Sequence, residues 1–198
     1  MKRYTQLFIG YLILTLGISL LIVADVGVQS IDSVAVGLQK NIGLTVGTWL
    51  WIVNIVNTLL VALVSWKKPY IKGVIGILFV SLFVDGWLLF VFEDVVLSNL
   101  FIQTVLFLLG ILCISLGAAI YLHTKLFILP WDGLMLAVSE RLNWSIKYAK
   151  TLIEVIALII GYLLGGGVGI GTVFVVFVMG YLVQTMLHLT KRWDWSHS

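Results

Sequence analysis

The amino-acid sequence predicts an all-α polytopic membrane protein: six transmembrane helices in two inverted three-span repeats, each repeat with a short re-entrant or interfacial helix. Three observations lead there. Of 198 residues, 61% are hydrophobic and 11% charged, with a mean hydropathy of +1.14, which leaves too little polar surface for a soluble domain. Six apolar runs approach or exceed the roughly 18 residues that cross a bilayer. The chain also matches itself at an offset of 100 residues.

The spans run 6–24, 47–65, 73–92, 100–122, 149–164 and 171–189. They form one membrane domain over 1–198, with repeat 1 at about 6–92 and repeat 2 at about 100–190. The matched positions are Gly10/Gly110, Leu12/Leu112, Thr15/Ser115, Leu16/Leu116, Gly17/Gly117, Asp32/Asp132 and Asn54/Glu154. Ser81/Gly180, Val84/Val183 and Asp85/Gln184 continue them at an offset of 99. Three is an odd number, so the second copy enters the membrane from the opposite face, related to the first by an axis in the membrane plane.

Charge orients the spans. With the N-terminus cytoplasmic, Lys2, Arg3, Lys67, Lys68, Lys72, Lys125, Arg141, Lys147, Lys150, Lys191 and Arg192 fall inside and Lys40 alone falls outside. The expected location is the bacterial cytoplasmic membrane, multi-pass, with both termini cytoplasmic. Lys2-Arg3 before an apolar run also suits a signal peptide, but a small-x-small cleavage site is lacking and span four repeats the pattern, so span one is expected to stay. Trp49, Trp51, Trp66, Trp144, Trp193 and Trp195 sit near span ends as interfacial anchors.

Between spans one and two, and four and five, lie the stretches 25–39 and 125–139. Each reads as a helix of about ten residues, covering about 15 Å or half a bilayer core. Ser30, Asp32 and Ser33 mark the start of one; Pro130 and Asp132 mark the other. As re-entrant pieces they would bring two N-terminal ends together near the midplane, where free N–H groups receive anions. As interfacial helices, each Asp would serve only as a local cap.

Ala24-Asp25-Val26-Gly27-Val28, the Asp32 segment, Gly43-Leu44-Thr45-Val46-Gly47-Thr48, Pro130-Trp131-Asp132-Gly133-Leu134 and Gly169-Ile170-Gly171-Thr172 resemble motifs of the bacterial YczE/YyaS/YitT-type integral membrane proteins. The resemblance covers nearly the whole chain. It departs at Ser30-Ile31, where the family often shows Pro-Trp, and at 126–129, where apolar residues replace a glycine-rich stretch. It implies a six-span cytoplasmic-membrane protein of the transporter kind, without a settled activity.

Polar groups inside spans are costly and mark pathways or helix contacts. Asp32, Asp132, Asp85, Glu154, Asn54, Gln184 and Trp131 are the substrate-path candidates. Asp85 is a candidate proton carrier, having no Lys or Arg within four residues, whereas Lys150 stands one turn before Glu154. The bland alternative for the amides is interhelical hydrogen bonding. Gly10/Gly17 and Gly110/Gly117 predict close packing of spans one and four.

Enzyme signatures are absent from the sequence, and neither cofactor nor metal is expected: Cys113 is the single cysteine, and the three histidines are scattered. The 165–172 glycine run lacks a Gly-Lys-Ser/Thr ending and reads as an outer hairpin. The pI of 9.0 reflects the inner loops and not nucleic-acid binding. The expected partners are the lipid bilayer, a small-molecule solute, and a second copy or another membrane protein. Two functions stand: a small-molecule transporter or facilitator with a central site, or a non-transporting accessory protein acting through a partner.

Overall fold

The computed structural model describes residues 2–65, 71–126 and 129–191. Outside the description lie the side chains of Lys2, Ile71, Lys72, Asp132 and Lys147, and the expected anchors Trp66, Trp193 and Trp195. Among the described residues every regular element is helical: α1 (Lys2–Ala24), α2 (Ser30–Ile42), α3 (Val46–Ser65), α4 (Ile71–Gly86, continued by a π turn at Trp87–Val91), α5 (Leu100–His123), α6 (Pro130–Leu142), α7 (Ile146–Leu163) and α8 (Ile170–Leu189).

By length and apolar composition, α1, α3, α4 with its π turn, α5 and α8 can each cross a bilayer. These are five spans where the sequence predicts six. The sixth corresponds to α7, which is long enough but carries Lys147, Lys150 and Glu154 in its first half. Large apolar side chains face outward from the bundle: Phe90 is 87% exposed and Ile170 90%. A lipid solvent covers such a surface at no cost.

Local chemistry sets the boundaries. The Asn99 side chain accepts from the Phe101 and Ile102 amides and starts α5, and Pro130 occupies the first turn of α6, where its missing N–H costs nothing. After α1 and α5 the backbone turns left-handed at Asp25 and Lys125, both with φ 53°. The two 13-residue short helices also close left-handed, α2 at Gly43 (φ 91°) and α6 at Asn143 (φ 52°). The 100-residue offset thus recurs in backbone conformation.

The contacts between halves are reciprocal. α1 and α5 run antiparallel in close contact: a Cβ on Gly17 would lie 2.6 Å from the Gly110 carbonyl oxygen, and one on Gly117 2.7 Å from that of Gly10. A position 10 in each copy meets a position 17 in the other, the signature of a two-fold contact. The same swap relates α2 against α7, where Ser33 presses on Gly161, to α6 against α3, where Gly133 meets Val61. The pairs α1/α4 and α5/α8 correspond as well. One pairing breaks the pattern, since α3 packs along α4 while α7 and α8 barely touch.

The main core joins Tyr11, Leu14, Ile18 and Leu21 of α1 to Ile111, Ile114 and Tyr121 of α5 and to Val80 and Val84 of α4. A smaller cluster, Val61, Leu134, Ala137 and Ile153, ties α6 to α3 and α7. Between these two clusters lies a cavity.

Candidate functional site

The cavity holds about 290 Å³ and draws its walls from α1 to α8 alike. Gln29, Ser30, Ile31 and Asp32 come from the start of α2, and Leu129, Trp131 and Met135 from the start of α6. The N-terminal ends of both short helices therefore converge on one space. Asn54 of α3, Lys150 and Glu154 of α7, and Tyr121 of α5 add the remaining polar atoms, while Leu14, Ile18, Ile77, Val80 and Met179 are among its apolar walls.

Asp32 is the most constrained of these groups. It stands in the first turn of α2 and is 3% exposed. Gln29 lines the cavity just before this turn, and the buried Oδ2 of Asp32 has no hydrogen-bond partner among the described residues. The tight seating of Ser33 against α7, with its Oγ donating to the Ser30 carbonyl at 2.7 Å, fixes this turn and so aims Asp32. The helix thus brings its own carboxyl to the positive end of its dipole.

Glu154 lies 3.7 Å from Lys150 one turn away, and its side chain is 13% exposed against 40% for the lysine. Asn54, 4% exposed, donates to the Leu50 carbonyl at 2.8 Å, a bond within its own helix. Trp131 is half-buried against the smaller core cluster. Asp32, Asn54, Trp131 and Glu154 are thus brought together. Asp132 falls in the first turn of α6, with its side chain outside the described residues.

Two candidates stand elsewhere. Asp85 is absent from the cavity wall. Its Oδ1 accepts from the Gly47 amide at 2.7 Å and its Oδ2 from the Thr45 hydroxyl at 2.6 Å, so it caps the start of α3 from α4. That occupation argues against the proton-carrier expectation. Gln184 is exposed, one turn beyond Gly180 and next to Val183, which do line the cavity, and its backbone oxygen meets the His188 ring at 2.8 Å.

Sequence reasoning missed Gln29 and Tyr121. Neither has a polar match in the other repeat, so the self-comparison carried no signal for them. It also missed the role of the 165–172 run beyond its being a hairpin. The Gly171 amide donates to the Val26 carbonyl at 3.2 Å and the Thr172 hydroxyl accepts from the Val28 amide at 3.2 Å, docking this loop on the α1–α2 turn. Gly27 and Gly169 allow that approach, because a Cβ on either would strike the opposing backbone.

A family model described as a family of unknown function, DUF6198, matches residues 1–188. The uncharacterized protein YyaS of Bacillus subtilis (strain 168) is 34% identical over 190 residues, covering 96% of this chain and 94% of that one. The uncharacterized membrane protein YczE of the same organism is 27% identical over 186 residues, 93% and 85% of the two chains. An uncharacterized protein of Haemophilus influenzae is 37% identical over 95 residues, covering 48% of this chain and 44% of that one. No solved structure matches. The resemblance read from the motifs is borne out by YyaS and YczE.

Proposed function

Since the chain belongs to the DUF6198 family, whose description assigns no activity, we propose from its own geometry a small-molecule transporter or facilitator of the bacterial cytoplasmic membrane, with a central site between inverted repeats. The observation that carries this reading is the convergence of both short-helix N-terminal ends on one polar-bearing cavity. Broken helices at a repeat interface are where secondary transporters place their sites. In this reading α1, α3, α4, α5, α7 and α8 are the six spans, and α2 and α6 are half-helices entering from opposite faces.

Three further facts support the arrangement. The antiparallel α1/α5 crossing runs equivalent helices in contrary directions. Lys40, which charge counting puts outside, donates to the Gly165 carbonyl at 3.1 Å, joining two loops expected on the same face. At the other end, His123 and Thr190 meet at 3.0 Å, closing α5 against α8 on the expected cytoplasmic face. No bond of the solute is broken in this reading, so the protein is not an enzyme, needs no cofactor, and works in the bilayer without nucleic acid.

The test is cysteine accessibility at cavity positions Ser30 and Trp131, in a Cys113→Ser background. Both positions should react in membranes with a small, charged, water-soluble thiol reagent, and a transported solute should slow that reaction. Reaction with lipid-soluble reagents alone, unaffected by solute, would favour an accessory protein acting through a partner.

A further inference from the structure

Resting on the transporter reading, we infer that the cavity takes a small organic cation, an ammonium group carried on an apolar body. Among the described residues, the charges on its wall do not cancel. Lys150 lies beside Glu154 and offsets it, which leaves the Asp32 carboxyl with a buried oxygen that no described group satisfies. A carboxylate so enclosed is strongly disfavoured unless a cation or donors reach it.

The rest of the wall selects the kind of cation. Trp131 and Tyr121 offer aromatic rings, and the faces of such rings attract ammonium groups. Leu14, Ile18, Val80 and Met179 offer no oxygen ligands. Among the described residues no three His, Cys, Asp or Glu side chains are grouped to hold a bare metal ion. An anion would face both Asp32 and Glu154 with Lys150 already engaged. An ammonium ion satisfies the Asp32 oxygen, and its carbon body fills the apolar part of about 290 Å³.

The test uses the full chain in lipid nanodiscs, titrated by calorimetry with benzylammonium, benzyl alcohol, benzoate and potassium chloride. Benzylammonium should bind saturably and at least about tenfold more tightly than its neutral and anionic counterparts, the size of a charge-assisted hydrogen bond. Asp32→Asn should weaken it by about the same factor while leaving the helical circular dichroism unchanged. Lack of saturable benzylammonium binding, equal binding of benzoate, benzyl alcohol or potassium, or undiminished binding by a folded Asp32→Asn protein would each overturn the inference.

Should that variant fail to fold, the charge series on the unaltered protein decides alone. Saturable benzylammonium binding without solute-dependent cysteine protection would remove transport and leave the cation site standing. Protection by an anionic solute would keep transport and remove the cation.

Discussion

Asp32 and Asp85 are both carboxyls of the first repeat, and the structure separates them by what reaches their oxygens. Asp85 has both oxygens engaged by the start of α3, whereas Asp32, a residue of the cavity wall, has one buried oxygen without a partner among the described residues. Removing the first should therefore cost stability, and removing the second should cost binding. We expect Asp85→Ala to lower stability by about 1–2 kcal/mol, the usual range for losing a helix cap, with ammonium binding by the folded protein unchanged. Thermal unfolding in detergent and the benzylammonium titration measure the two effects. A drop in affinity without a drop in stability would return Asp85 to the solute path.

At the scale of elements, the long helices were legible because apolar run length and bilayer thickness are the same constraint seen twice. The runs 47–65 and 100–122 end within one residue of α3 and α5. The short helices were legible from Ser30 and Pro130, although each extends to 13 residues where about ten were expected. The role of Asp85 was not legible, since its partners Thr45 and Gly47 lie 40 and 38 residues away. Local sequence carries no information about a cap supplied from another helix. Gln184 was misplaced because repeat symmetry assigns it an equivalent position but not an equivalent depth.

The glycine faces of α1 and α5 were readable, and they give a sharp prediction. Gly17→Leu places a side chain where a single Cβ already meets backbone at 2.6 Å, so the crossing must part. Overpacking of this kind costs about 1–3 kcal/mol, and more where backbone is the obstacle. Gly86 sits at the end of α4, and a methyl group added there would meet nothing within 4 Å, so Gly86→Ala should be neutral or slightly stabilising. Comparing the folded fraction of both variants by size-exclusion chromatography checks the contrast.

At the scale of the whole molecule, charge distribution and reciprocal packing make one claim about orientation. Reporter fusions at Lys40 and Arg141, in the last turns of α2 and α6, should locate the two sites on opposite faces of the membrane. Finding both in one compartment would remove the contrary-facing halves, and with them the shared central site.

The swapped pairing of positions 10 with 17 and 33 with 61 has a consequence for biosynthesis. α1 and α2 find their most extensive partners in α5 and α7, so the first half emerges from the ribosome with its best-fitting surfaces still unmatched. Residues 1–98 made alone should be degraded, whereas two separately translated fragments, 1–98 and 99–198, should rescue each other when expressed in one cell. Pulse-chase lifetimes would show it.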